Sequence, residues 1–259
     1  MSEDVKSCCA TLYESDMARM LLGDSFHPGG LSLTKRLGDL LGLKPGMRVV
    51  DVASGKGESA IFLAQTFGCA VTGIDFSVVN AEQASARADE AKVDHSVTFQ
   101  TGDAENLPIP DVSFDAVICE CAFCTFPDKR IAAAEFVRIL KPGGQVGISD
   151  LTCAESLPPE LTGLLAWVAC IADARPVAEY VQYLEAAGMR NTLVEPHDEA
   201  LAEMVRDIRG KLLGAELMSK LKKLDLGGVN FAEAKAMARA AGDAVRAKKL
   251  GYAIVTASV

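Results

Sequence analysis

The stretch VVDVASGKG, Val49 to Gly57, decides how this chain is read. A β-branched run reaches an acidic residue, Asp51, and then breaks into small residues at Ala53, Ser54, Gly55 and Gly57. Side chains this small let a nucleotide-like ligand lie against the backbone where a strand turns into a helix. A second apolar run, Ala70 to Ile74, ends on Asp75, 24 positions after Asp51. An acidic residue at about that interval is placed to hold the hydroxyls of a ribose. The pair points to a cofactor that carries adenosine.

The chain has 259 residues, which fits one α/β domain with embellishments. Its 49% hydrophobic residues are enough for a substantial core and too many for disorder. No apolar run reaches membrane-spanning length and the first residues carry no secretory core, so a cytoplasmic protein is expected. A net charge of −9 argues against a nucleic-acid partner, which would need clustered Lys and Arg. The one dense basic stretch, Lys220 to Lys223, falls among leucines at helical spacing and reads as a solvated helix face. Eight cysteines without an export signal read as mostly reduced thiols. With no paired CxxC spacing and three histidines, no metal site is expected. Oligomeric state is not written in the sequence.

Working outward from Val49, strands and helices alternate. Helical spacing covers Leu31–Leu41. Strands are predicted at 48–52, 70–74, 97–101, 114–119 and 145–149, with helices at 58–67, 80–91 and 130–140 between them. Such alternation builds a Rossmann-like, mostly parallel sheet with helices on both faces. Past Asp150 the pattern becomes helical, at 159–172, 176–187, 199–221 and 231–248. Strands near 192–195 and at 252–257 bring the sheet to seven, the last one expected at its edge. The expected division is residues 1–44 as an N-terminal lid with helices, 45–150 as the cofactor-binding core and 151–259 as substrate-side helices and closing strands.

Four motifs in order, DVASGKG, GIDFS, GDAENLPIPDVSFDAVI and RILKPGGQVGISD, resemble those of class I S-adenosylmethionine-dependent methyltransferases across residues about 45 to 150. The resemblance implies S-adenosylmethionine as cofactor and a role for each matched residue. Asp51 and the backbone of Ala53, Ser54, Gly55 and Gly57 would face its methionine end, Asp75 its ribose and Phe76 its adenine. Asp103 and the Ala104 N–H would bond the adenine edge, and Glu120 would lie near the amino group and methyl. Ala53 departs from a commoner Gly, read here as a tolerable crowding by one methyl.

The cysteines point to the acceptor. Cys119-Glu-Cys-Ala-Phe-Cys124 follows the strand at 114–118, where ligands of parallel sheets sit. Cys121 and Cys124 are expected exposed in that loop, and Cys119 directed into the core. The chain is also similar to arsenite methyltransferases, at Cys121 and at Cys170, before a helix ending in Ala-Gly and an apolar residue. That likeness implies As(III) held by Cys121 and Cys170, with Cys8 and Cys9 assisting; Cys124 is a further candidate from its place in the loop. Glu120 replaces that family's Asn. The loop Asp24-Ser-Phe-His-Pro-Gly-Gly30 reads as a lid whose His27 either touches substrate or is a turn residue bonded to backbone. The sheet region equally resembles quinone-biosynthesis methyltransferases, which implies a small organic acceptor methylated on carbon or oxygen. Deprotonating it would fall to His27 or His197.

Overall fold

A computed structural model describes residues 27–161, 171, 173–221 and 230–259. Seven strands form one sheet: β1 Arg48–Val52, β2 Ala70–Asp75, β3 Val97–Thr101, β4 Phe114–Glu120, β5 Leu140–Cys153, β6 Arg190–Pro196 and β7 Leu250–Ser258. Among the described residues seven α-helices accompany them: α1 Gly30–Leu40, α2 Glu58–Phe67, α3 Val78–Glu90, α4 Lys129–Ile139, α5 Val177–Ala186, α6 Asp198–Lys220 and α7 Phe231–Arg246. The spatial order is β3-β2-β1-β4-β5-β7-β6, with only β7 antiparallel to its neighbours.

From β1 the chain steps outward through β2 to β3, then returns to β4 and steps the other way to β5. Right-handed crossovers running in opposite directions place their helices on opposite faces. Thus α2 and α3 pack on β2 and β3, whereas α4 packs on β5 and on α5. The apolar strand runs are explained by this double covering: Val49, Val50, Val52, Ala116, Val117 and Ile118 are all fully buried. The reversal of strand order lies between β1 and β4, and a crevice opens there beyond the carboxyl ends of the strands.

Boundaries expected from the sequence move by a residue or two, with two larger corrections. β7 does not close the edge of the sheet; it inserts between β5 and β6, pairing with both along most of its length. Its residues 252–257 are all buried, which suits an interior strand. β5 is longer than predicted because Leu140 already pairs with Phe114, and the Lys141–Gly144 turn is a bulge within the ladder. Of the helix expected at 159–172, Pro159–Leu161 is a 3-10 turn and residues 162–170 and 172 lie outside the described residues.

Candidate functional site

Three acidic residues end three adjacent strands at the crevice. Asp51 is the penultimate residue of β1, Asp75 closes β2 and Glu120 closes β4. Parallel pairing in register, Asp51 opposite Gly73 and Ile118, brings all three carboxylates to one end of the sheet. Asp51 is 2% exposed, and its Oδ2 has no hydrogen-bond partner among the described residues. Burial, then the charges of Glu120 and Asp75, push its carboxyl well above the usual range. A carboxylate held this way calls for a cationic partner from outside the fold.

The turn after β1 supplies the backbone of the cradle. Ala53, Gly55 and Gly57 all adopt positive φ, 61°, 52° and 79°. Around Gly55 a Cβ would meet nothing within 4 Å, so the chain's approach face is open there. Gly57 has a packing role as well. A Cβ on it would lie 2.4 Å from the ring of Phe99, and one on Gly73 would lie 2.3 Å from the same ring. The ring of Phe99 on β3 thus occupies the space that a side chain at Gly57 would take. Ala53 carries its methyl in left-handed backbone, which strains a non-glycine residue. The Ser54 hydroxyl is buried and unpartnered among the described residues.

Asp75 is fixed in place by its neighbours. Its Oδ2 accepts from Gly55 N–H at 2.7 Å, and its Oδ1 from Ser77 N–H and Asn80 Nδ2. Ser77 itself caps α3 through Asn80 N–H. Asp75 thereby ties the first turn to the second strand end, at the position expected for the ribose. Phe76 is 40% exposed, so it is not a core residue. Asp103 accepts from Glu105 N–H within a tight turn bridged to Asn106, and the neighbouring Ala104 is half-buried.

Glu120 is the hub of the β4 side. Its Oε2 accepts from Ser59 Oγ at 2.7 Å and from Thr34 Oγ1 at 3.0 Å, and its Oε1 from Ser149 Oγ at 3.2 Å. His27 Nε2 lies 3.7 Å from Oε2 and 3.4 Å from Thr34 Oγ1, while Nδ1 is 3.3 Å from the Pro28 carbonyl. His27 is thus both a turn residue and a neighbour of the acidic hub, 8% exposed. Thr34, Ser59 and Ser149 come from α1, α2 and β5. The sequence assigned them no role, although Ser149 falls within RILKPGGQVGISD, because polar residues on three separate elements converge only after the sheet forms. His197, the other candidate base, instead pairs with Glu195 at 2.8 Å, and Glu195 also holds Arg36.

The thiols divide. Cys121 follows Glu120 at φ 52°, half-buried, its N–H donating to the Ser149 carbonyl at 2.7 Å. A non-glycine residue in left-handed backbone beside a site is a strained position. Cys119 is buried as expected, and burial raises its thiol pKa well above the ordinary value. Cys124 corrects the expectation of exposure. It is fully buried, with its N–H donating to Asp150 Oδ2, because Phe123 draws the loop inward against Phe126, Phe136, Tyr180 and Tyr183. Cys8, Cys9 and Cys170, with residues 24–26 of the expected lid, lie outside the described residues.

Comparison with known proteins falls on the same region. Residues 50–148 match the family model described as a methyltransferase domain. Among curated proteins, the chain is 34% identical over 154 residues to the 27-O-demethylrifamycin SV methyltransferase of Amycolatopsis mediterranei, covering 55% of this chain and 57% of that one. The chain spans still less, 38% and 35%, of the phosphoethanolamine N-methyltransferases it matches in Arabidopsis thaliana and Triticum aestivum. Among solved structures, the [4+2]-cyclase SpnF superposes with a TM-score of 0.78 at 25% identity, covering 100% of this chain and 96% of that one. A phosphoethanolamine N-methyltransferase of Haemonchus contortus in complex with S-adenosyl-L-methionine gives 0.82 at 19% identity, covering 98% and 59%, a likeness of fold.

Proposed function

We propose that this chain is an S-adenosylmethionine-dependent methyltransferase acting on a small organic acceptor through oxygen or nitrogen. The observation that carries the reading is the buried Asp51 carboxylate, its Oδ2 without a partner among the described residues, beside an open glycine turn. The ammonium of the cofactor's methionine end matches Asp51 in charge, and the Gly55 turn leaves room for it. The matched methyltransferase domain and the O- and N-methylating relatives support the same assignment. When bound, S-adenosylmethionine supplies an electrophilic sulfonium methyl. The protein's part is alignment, exclusion of water and removal of the acceptor's proton.

His27 is the candidate base. Its Nε2 stands 3.7 Å from Oε2 of Glu120, which orients the ring. In this scheme a proton leaves the acceptor oxygen or nitrogen for His27 Nε2 as the methyl bond forms. Asp75 and Phe76 hold the ribose and adenine, with Asp103 and Ala104 at the adenine edge. Methyl-labelled S-adenosylmethionine, incubated with a panel of phenols, alcohols and amines, should give labelled product. His27→Ala should lower kcat about 10²- to 10⁴-fold while affinity for S-adenosylhomocysteine is retained. Absence of label transfer to every acceptor would overturn the reading and favour non-methylating chemistry on the same fold, of the kind named for the SpnF neighbour.

A second reading, arsenite or a methylated arsenical as acceptor, draws on the half-buried Cys121 at the mouth of β4. A trivalent arsenic lone pair needs no base, so the two readings separate cleanly. If arsenite is the acceptor, Cys121→Ser or Cys170→Ser abolishes its methylation and His27→Ala does not.

A further inference from the structure

Glu120 can orient His27 only if its own carboxylate is fixed. The last torsion of a glutamate is soft, so the plane of the carboxylate follows its hydrogen-bond partners rather than a rotamer well. The Glu120 side chain is 4% exposed, which leaves water little access to set that plane. Oε2 accepts from Ser59 and Thr34 and faces His27 Nε2. The other oxygen, Oε1, accepts from Ser149 Oγ at 3.2 Å. What holds Ser149 therefore decides which way the carboxylate lies.

Ser149 is the register partner of Glu120 across β4 and β5, and Tyr252 of β7 pairs with Leu151, two residues further along β5. Register partners share a face of the sheet, and that face recurs at every second residue. Glu120, Ser149 and Tyr252 thus form one row across three adjacent strands. The row exists because β7 lies inside the sheet, beside β5. Both Ser149 and Tyr252 are fully buried. The Tyr252 hydroxyl stands 3.0 Å from the Ser149 carbonyl and 3.1 Å from Ser149 Oγ, and donates to them. Burial, then Cys121, Asp150 and Glu120 nearby, push its phenol well above the ordinary range, so it stays a donor. A serine has one proton, and Ser149 gives it to Glu120, so Ser149 Oγ meets the phenol as an acceptor. The polarity of the row is then set, from Tyr252 through Ser149 to Glu120. Both acceptors of the phenol belong to Ser149, so either one holds that residue.

We propose that Ser149 and Tyr252 are positioning residues: by holding Oε1 of Glu120 they turn Oε2 towards His27 and fix the orientation of its imidazole ring. The proposal rests on the reading of His27 as the base of methyl transfer. Neither residue hydrogen-bonds His27 among the described residues, so their effect on the ring passes through the Glu120 carboxylate.

The test uses the full chain with Tyr252→Phe and Ser149→Ala, each of which deletes one hydroxyl and keeps the rest of the side chain. Ring signals of the three histidines, His27, His95 and His197, are read by NMR on isotope-labelled protein and assigned with His27→Ala. Both variants should move the His27 signals and leave those of His95 and His197 in place. On a Glu120→Ala background, Tyr252→Phe should move them no further. These spectra need no turnover. In the methyl-transfer assay each variant should lower kcat about tenfold, the factor that one hydrogen bond makes in a rate. The acceptor KM and the affinity for S-adenosylhomocysteine should stay within about twofold. On the His27→Ala background neither variant should lower kcat further, whereas a residue that only packs would lower both backgrounds alike. Unmoved His27 signals, an undiminished Tyr252→Phe effect without the Glu120 carboxylate, or equal kcat losses with and without His27 would each overturn the proposal. Moved signals in a chain that methylates no acceptor would uphold the positioning of the ring and remove its reading as a base.

Discussion

Ala53 and Gly57 stand four residues apart in one turn and need opposite remedies. Both have positive φ, but Ala53 carries a methyl in left-handed backbone, which costs about 1–2 kcal/mol. Glycine there removes that strain and gives back part of the gain as chain entropy. Ala53→Gly is therefore expected to stabilise by about 0.5–1 kcal/mol. Gly57→Ala adds the same backbone strain to a 2.4 Å clash with Phe99, and should destabilise by about 2–4 kcal/mol. Urea unfolding of both variants checks the signs, and Phe99→Leu combined with Gly57→Ala should recover the clash but not the strain. Full recovery by Phe99→Leu, or none, would contradict this division. The small-residue pattern was visible in the sequence and its location was right. What each small residue faces was not visible, because Phe99 lies 42 positions further on and meets Gly57 only through the β2–β3 pairing.

At the scale of elements, the 3-10 turn Phe123–Thr125 shows how a loop that looks chemical from its sequence is held by packing. Cys119-Glu-Cys-Ala-Phe-Cys124 reads as a thiol cluster at a strand end, and the thiols drew the functional interpretation. Phe123 decides the loop's course by stacking against Phe126, Phe136 from α4, and Tyr180 and Tyr183 from α5. Phe123→Ala should cost about 3–5 kcal/mol, as deletion of a buried aromatic does. It should also release Cys124. Alkylation followed by peptide mass spectrometry should modify Cys121 and spare Cys124 in the native chain, and modify both in the variant. Rapid native labelling of Cys124 would contradict the burial assigned to it. The alternating strands and helices as far as β5 were legible because each repeats a local period. The place of β7 was not, since an antiparallel strand following α6 and α7 carries no local mark of which neighbours it will pair with. Likewise Thr34, Ser59 and Ser149 around Glu120 became a group only through α1, α2 and β5 together.

Across the whole molecule, the carboxylates fall into two sets with opposite pH signatures. Glu135 is lowered by its hydrogen bond to Arg138, Glu216 by Lys235, and Glu195 is brought to about 2 by Arg36 and then His197. These groups bind fewer protons folded than unfolded. Their stabilisation is present above the unfolded carboxylate pKa, about 4, and is lost as pH falls through the folded values. For Glu195 that window runs from about 4 down to about 2. Asp51 does the reverse: raised by burial, then by Glu120 and Asp75, it binds more protons folded than unfolded. Its ionisation therefore removes stability as pH rises from about 4 through its folded pKa, with a slope of at most about 1.4 kcal/mol per pH unit. The free chain should accordingly weaken between pH 4.5 and that folded value, and Asp51→Asn should flatten this limb. An ammonium brought to Asp51 by S-adenosylhomocysteine counters the repulsion, so the ligand's stabilisation, about 2.7 kcal/mol at 100 times Kd, should grow with pH in the native chain. Urea midpoints at several pH values, with and without S-adenosylhomocysteine, measure both effects. If Asp51→Asn leaves slope and ligand gain as in the native chain, then Asp51 is not the group that the bound cation answers, and the orphaned carboxylate loses its part in the site.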